Sequence, residues 1–540
     1  MRYASSSDHH SPAGRAGRGR RRRAAALLLA LSGFLLALAA PAPPAGAAHV
    51  PVPRPFVFTG ADGTPLKGNV AEPAGPGPHP LLVLPCWVSM PELLMTSTQL
   101  AAARDGYVAV VYQTRLPVGP GAADLQGLRD VGDVSRVVDW ALEHTSADAR
   151  HIGLGGVSYG SVVSLLAAAR DPRISAVAAL SGWVDTMDAL EDHGTPTLPS
   201  LGIGAYTTVE QRGALLDAVL RHDRERLAAW AGPRSPIAYV DRYNARRVAL
   251  FFALTWGEGV TPAPRLGEFL DRLRGPKRLE MRPGDHAGPE MAEALLPGEL
   301  IRSILRWMDH HLKGRENGVD REPPVLLRPV NSGPRFGAGY GWEGHPSWAA
   351  MTGSTRRLFL GAGRSLRETP DGSATGATLT AVPVSPTDNG LLMFQRSAEA
   401  VLGVQVPRPL ALVPPGGGAV WTSRPAAFTR YVRGTPRVRL TITPEAGTGT
   451  VVVHLLDADA LGNGRLMTWA PYTFTGRTPG RPFTVEIPLY ATAYDLPAGH
   501  RLALAAGTAD SRVLARNALL RRITLSSPAG SPSWLDVPLR

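Results

Sequence analysis

The stretch HIGLGGVSYGSVVSLLAAARD, His151 to Asp171, decides how this chain is read. It begins as a short apolar run, HIGLGG, of the kind that suits a strand buried on both faces. It ends as SVVSLLAAARD, a helical pattern. Between the two lies Gly156-Val157-Ser158-Tyr159-Gly160, a GxSxG segment. In such a segment the serine sits on a tight strand-to-helix turn, and the flanking glycines let neighbouring backbone come close. With 59 glycines in 540 residues the five-residue pattern alone is weak. The strand before it and the helix after it make Ser158 a candidate nucleophile rather than an exposed serine in a Gly-rich turn.

Working outward, PLLVLP (Pro80 to Pro85), YVAVVY (Tyr107 to Tyr112), ISAVAAL (Ile174 to Leu180), VALFFAL (Val248 to Leu254) and RLEMRP (Arg278 to Pro283) are further short apolar or near-apolar runs. Helical patterns lie between them, among them DVGDVSRVVDWALEHT before His151. Strand and helix in alternation predict an α/β fold with a mostly parallel sheet and right-handed crossovers. An antiparallel hairpin is expected over Pro55 to Asn69, around the turn signal ADGTPLKG. The alternation breaks between Trp183 and Arg247, where an insertion ending in QRGALLDAVLRHDRERLAAWAG predicts a helical cap over the carboxyl ends of the strands. That is where an α/β enzyme binds its ligand. The helix LIRSILRWMDHHLKG closes the first domain near Gly314, and RENGVDREPP reads as a linker. Beyond residue 320, period-2 stretches such as RVRLTIT (Arg437 to Thr443), TVVVHLLDA (Thr450 to Ala458) and PFTVEIPL (Pro482 to Leu489) predict an all-β sandwich or jelly roll. The expected domains are therefore 48–318 and 319–540, with the cap at about 183–247.

Residues 1–47 carry a basic stretch ending in RRRR, an apolar run from Ala24 to Ala40 and the small-residue site Ala45-Gly46-Ala47, the three parts of a secretory signal. Export is expected, by the general or the twin-arginine route, with membrane contact only during export. The formal charge of +12 looks at first like a nucleic-acid signal, but seven arginines against one acid in this segment account for half of it. The remaining Arg residues are scattered among acids, so no nucleic-acid partner is expected. The single cysteine, Cys86, permits no internal disulfide. No His/Cys/Asp cluster stands at ligand spacing and no phosphate loop follows the first strand, so neither metal nor cofactor is expected. The oligomeric state is not legible.

A serine nucleophile needs a base to take its proton and an acid to orient that base, and in this kind of sheet they follow in the order Ser, Asp or Glu, His. After VALFFAL comes Thr255-Trp256-Gly257-Glu258-Gly259, and after RLEMRP comes Gly284-Asp285-His286-Ala287-Gly288. Glu258 and His286 thus fall on strand-end loops. His310 and His311 lie inside a helix, while His193 and His222 precede the acid. Asp185 and Asp188 remain alternatives for the acid. For the oxyanion, Tyr159 offers its N–H, and the second donor is expected from Cys86 or Trp87 in the loop Pro85-Cys86-Trp87-Val88.

These features together resemble the cocaine-esterase-like and X-Pro dipeptidyl-peptidase family of serine hydrolases. The resemblance rests on GGVSYGS around Ser158, RSPIAYVDRY before the acid strand, TWGEG, PGDHAG around His286, RWMDHHLKGRENGVDREPPV and AVWTSRPAAF (Ala419 to Phe428). It implies an α/β-hydrolase domain with a helical cap followed by a β jelly roll, and cleavage of esters, amides or peptides after an X-Pro pair. Two departures stand out: the family's acid is usually Asp where this chain has Glu258, and a tyrosine often found in the oxyanion loop is replaced by the stretch PCW. A dipeptidyl peptidase must bind a free ammonium, for which Asp185, Asp188, Glu191 and Asp192 are candidates; a solvated acidic helix start is the plainer reading of that cluster. The rival functions are a carboxylesterase or acylase, and a carbohydrate- or cell-wall-binding protein whose β-domain presents Trp421, Trp469 and Tyr472.

Overall fold

The computed structural model describes residues 51–86, 95–115, 123–204, 207, 209–260, 263–295, 297–331, 341–382, 395–402, 406–413 and 416–540. The segment 1–47, where a secretory signal is expected, lies outside the described residues. The first sheet is built from β1 (Arg54–Thr59), β2 (Pro65–Ala71), β3 (His79–Pro85), β4 (Val108–Tyr112), β5 (Ala147–Val157) and β6 (Ile174–Leu180). A cap carrying the two-residue pair β7 (Glu191–Asp192) and β8 (Thr195–Pro196) follows, and then β9 (Ala249–Thr255), β10 (Lys277–Arg282), β11 (Val325–Leu327) and β12 (Glu343–His345) complete the sheet. Its order is β1-β2-β4-β3-β5-β6-β9-β10-β11-β12. The run from β4 through β11 is parallel, with the expected antiparallel β1–β2 hairpin at one edge.

The apolar runs form strands because both of their faces are covered. In β3, Leu81 and Val83 join the cluster of Val134, Val138, Val162 and Leu166, from helices α2 (Leu128–His144) and α3 (Tyr159–Arg170). Leu82 and Leu84 point the other way, into the cluster of Ala102, Ala103, Trp307 and Met308. Those come from α1 (Thr96–Arg104) and α5 (Glu299–Lys313); α4 (Gly288–Leu295) lies between the last strand-end loop and α5. Each Leu or Val so buried contributes about 1.5–3 kcal/mol before entropy is charged against it. Gly314, at φ +65°, terminates α5, a left-handed position at which a Cβ would be costly.

From β3 the chain first steps outward to β4 and then returns to place β5 on β3's other side. The carboxyl ends of β3 and β5 therefore flank a crevice where successive connections diverge, and such a switch point is the natural ligand site of an open α/β sheet. The Trp183–Arg247 insertion is helical, with Val209–Arg221 and Arg224–Ala231 as its longest elements.

The remaining strands form a mostly antiparallel β-domain around Leu358, Leu440, Val453, Leu504, Leu525 and Val537. The sequence boundary at 318 placed everything beyond it in that domain, but β11 pairs with β10 and β12 pairs with β11, so the chain first lays two more strands on the parallel sheet. The seam is fastened by Arg433 of the β-domain. Its fully buried guanidinium donates to Glu343 of β12 (2.7 and 2.9 Å) and to Asp495 (2.7 Å). The β-domain also grips the cap: Thr473 N donates to His193 O (3.0 Å), Leu514 N to Pro196 O (2.8 Å) and Leu198 N to Arg512 O (2.9 Å). Trp421 and Trp469 are buried, Trp469 beneath the Arg512 guanidinium, so the aromatic binding face considered for this domain does not form.

Candidate active site

Ser158 stands between the last residue of β5 and the first of α3 with φ +54° and ψ −119°, a conformation that costs a non-glycine residue about 1–3 kcal/mol. The turn around it is too tight for side chains on either glycine. A Cβ on Gly156 would lie 2.3 Å from the Gly160 carbonyl carbon, and one on Gly160 would lie 2.3 Å from Pro85 O. Tyr159 is the first residue of α3, so its N–H is one of those a helix leaves without an internal acceptor, and it emerges beside Ser158. The Tyr159 ring is fully buried. Its hydroxyl donates to Asp130 and accepts from Gln126 N–H (3.0 Å), tying the start of α3 to the loop before α2. Burial pushes Asp130 up to about 6.

His286 follows β10 and Glu258 follows β9, and the structure brings both to the nucleophile. His286 Nε2 is 2.9 Å from Ser158 Oγ, and Nδ1 is 3.0 Å from each Glu258 carboxylate oxygen. All three residues are at most 9% exposed. The extra methylene of Glu258 is accommodated because its loop is backed onto the histidine loop: Gly257 N donates to Gly284 O (2.9 Å), and a Cβ on Gly257 would meet that oxygen at 2.3 Å. Burial pushes the His286 imidazole down, but the Glu258 carboxylate more than offsets this, so its net shift is upward.

Asp285 turns away from the site and serves as an anchor. It accepts from Arg396 N (2.9 Å) and from the Ser397 hydroxyl, and its own N–H donates to Ser397 Oγ (3.1 Å). Residues 396 and 397 open α6 (Gln395–Leu402), so a helix from the C-terminal half braces the histidine loop from outside. Nothing local in PGDHAG marks Asp285 for this role.

The oxyanion expectation needs a correction. The Cys86 N–H donates to Tyr112 O (2.9 Å), continuing the β3–β4 ladder, so this backbone donor is committed to the sheet. Trp87 lies outside the described residues. The Tyr159 N–H, at the start of α3, is placed beside Ser158.

The acidic residues of the cap are unequally engaged. Asp185 caps the N-terminus of the helix Thr186–Leu190 and pairs with Arg265 (2.5 Å). Asp192 accepts from the Tyr490 hydroxyl (2.6 Å) and lies 2.9 Å from His193 Nδ1, and Glu191 pairs with Arg224 (3.3 Å). Asp188 Oδ2 is buried without a hydrogen-bond partner among the described residues. Burial, then Asp185 and Asp192, push Asp188 up to about 7. A cavity of about 460 Å³ joins Asp188, Glu191 and Asp192 to Glu258 and the β-domain residues Arg437 and Tyr490.

A parallel sheet with a serine on a strained strand-to-helix turn, a histidine and a carboxylate on the next strand-end loops, and an appended β-domain define an α/β-hydrolase of two-domain build. Residues 62–288 match the family model for X-Pro dipeptidyl-peptidase (S15 family), and residues 317–527 match that for the X-Pro dipeptidyl-peptidase C-terminal non-catalytic domain. The chain belongs to this family. Two curated proteins named as putative serine esterases, from Mycobacterium bovis and Mycobacterium tuberculosis, are 24% identical over 312 residues, 51% of this chain and 48% of theirs. The chain thus spans about half the length of the curated relatives it matches. Among solved structures, an aminopeptidase from a marine sediment Thaumarchaeota archaeon superposes with a TM-score of 0.69 at 15% identity, covering 93% of this chain and 99% of its own. An α-amino acid ester hydrolase gives 0.66 at 15% over 93% and 98%, and a CocE/NonD family hydrolase from Staphylococcus aureus 0.66 at 14% over 90% and 93%. At these identities the likeness is one of fold.

Proposed function

We propose that this protein is a serine hydrolase that cleaves an ester, amide or X-Pro peptide bond through an acyl-enzyme, in the manner of an X-Pro dipeptidyl peptidase. The reading is carried by the unbroken contact from Ser158 Oγ to His286 and on to Glu258. Ser158 Oγ attacks the substrate carbonyl while His286 Nε2 takes its proton. Glu258 holds the Nδ1–H tautomer and stabilises the imidazolium, and the Tyr159 N–H donates to the oxyanion. His286 then protonates the leaving amine or alcohol, and water repeats the sequence to release the acid. Ser158→Ala should abolish labelling by an active-site phosphonate, and continued labelling would end this assignment.

For substrate choice, Asp188 is the candidate for an incoming ammonium, because Asp185 and Asp192 already have partners and its own buried oxygen has none among the described residues. An arriving cation would restore the charge that burial suppresses. We expect X-Pro anilides with a free N-terminus to be cleaved at least tenfold faster than acetyl-blocked ones, and Asp188→Asn to erase the difference. Equal rates in the unmodified enzyme would favour the carboxylesterase or acylase reading. The basic, apolar and small-residue order of residues 1–47 supports export; N-terminal sequencing of protein from the culture medium should begin near Ala48, and retention of the intact chain in the cytoplasm would refute it.

A further inference from the structure

A second carboxyl group is linked to the histidine loop. Glu290, in the first turn of α4, is 6% exposed, and its Oε1 accepts from Ser181 Oγ (2.7 Å). Ser181 Oγ in turn accepts from the N–H of Ala287 (3.1 Å), the residue after His286. Ser181 is itself pinned where β6 ends, with its N–H on Ala253 O (2.8 Å) and φ +44°; Ala287 has φ +58°. Two non-glycine residues are thus held in the left-handed region and joined through one hydroxyl, and the buried carboxyl orients that hydroxyl.

The other oxygen of Glu290, Oε2, is buried without a hydrogen-bond partner among the described residues. Glu290 lines a small cavity of about 40 Å³ beneath Gly156 and Val157, shared with Leu82, Leu84, Ile301 and Ile304. A half-satisfied carboxyl there costs stability that an apolar side chain of similar size would not. Packing therefore gives no reason for an acid at this position, whereas the link to Ala287 does.

We propose that Glu290 is a positioning residue of the hydrolytic site: through Ser181 it fixes the turn at Ala287 and with it the ring of His286, and its charge adds to that of Glu258 on the imidazole. This rests on the reading of His286 as the general base. The charged groups that bear on Glu290 are His286 from the adjoining loop and Glu258 from the acid loop, while β6 contributes the Ser181 hydroxyl. The cavity wall adds Thr98 from α1 and apolar side chains from β3 and α5. Burial pushes Glu290 up to about 7, partly offset by Ser181 and by the histidine, so it ionises in the range where the base must be neutral.

The test is the pH profile of Ser158 labelling by a phosphonate in Glu290→Gln, Glu290→Leu and the unmodified enzyme, with thermal melting beside it. Gln has the shape of the protonated acid and no charge. Because ionised Glu290 favours the imidazolium, its loss should move the acid limb of the Glu290→Gln profile to lower pH, by about half a unit or more, with labelling retained. Glu290→Leu should label at least tenfold more slowly at every pH without melting earlier, since it fills an apolar cavity. A Glu290→Gln profile that superimposes on the unmodified one, or Glu290→Leu labelling at the unmodified rate, would overturn the proposal. Should Glu290→Leu not fold, the Glu290→Gln profile decides. Failure of the unmodified enzyme to label would instead strike at the hydrolase reading.

Discussion

Shortening Glu258 to Asp tests the carboxylate that stands against His286. Both carboxylate oxygens lie 3.0 Å from His286 Nδ1. Removing one methylene withdraws them by about 1.5 Å, the length of one C–C bond, to about 4.5 Å. The loop has little freedom to follow, since Trp256 N is held by Arg282 O (3.0 Å), the Trp256 indole by Arg328 O (2.7 Å) and Gly257 N by Gly284 O (2.9 Å). At an effective dielectric of about 20, the attraction between carboxylate and imidazolium falls by about 2 kcal/mol over that withdrawal. A charge-assisted hydrogen bond worth about 1.5–3 kcal/mol is lost as well. The two overlap, so the expected loss is about 2–4 kcal/mol, or roughly 30- to 1,000-fold in kcat/KM. Glu258→Gln should be worse, by about 10⁴, because the amide removes the charge and can stabilise the wrong imidazole tautomer. Hydrolysis of p-nitrophenyl esters, with phosphonate labelling and thermal melting as controls on site and fold, should rank the unmodified enzyme first, Glu258→Asp second and Glu258→Gln last. Unmodified speed in the Glu258→Asp variant, or a Glu258→Gln rate within tenfold of the unmodified enzyme, would refute the role given to Glu258.

Two other outcomes follow from the same geometry. The rate of Ser158 labelling should rise with pH along an acid limb centred above the ordinary histidine value of 6.5, because the base must be neutral and Glu258 outweighs burial in holding the imidazolium. A limb centred below 6.5 would contradict this. Arg433→Met should cost about 3–5 kcal/mol in urea unfolding, since it leaves Glu343 and Asp495 facing each other without their buried cation. Burial raises Glu343, but Arg433 more than offsets it, so its folded pKa lies below 4.5. Its contribution to stability is therefore present above about pH 4.5 and lost as pH falls through the folded value. The gap between Arg433→Met and the unmodified protein should accordingly narrow in acid; a gap unchanged from pH 7 to pH 3 would show that the pair does not fasten the seam.

Much of this molecule is legible before it is folded. Strands buried on both faces leave continuous apolar runs, so β3, β4, β5, β6, β9 and β10 stand out in the chain. Ser158, Glu258 and His286 stand out because each follows one of those runs, in the order Ser, acid, His that this fold uses. What depends on partners far apart in sequence could be learned only from the tertiary structure. The Cys86 N–H is committed to Tyr112 by strand register, and Asp185 is occupied by Arg265, 80 residues on. Arg433 is one of the Arg residues scattered among acids along the chain, yet it is wholly buried because Glu343 and Asp495 converge on it. β11 and β12 look like the start of the β-domain, because three-residue strands carry too little pattern to declare which sheet they will join. The sequence alone determined which residues could do the chemistry, since that depends on side-chain type and order along the sheet. Only the folded chain decided what holds them in place, because hydrogen bonds and burial depend on neighbours in space.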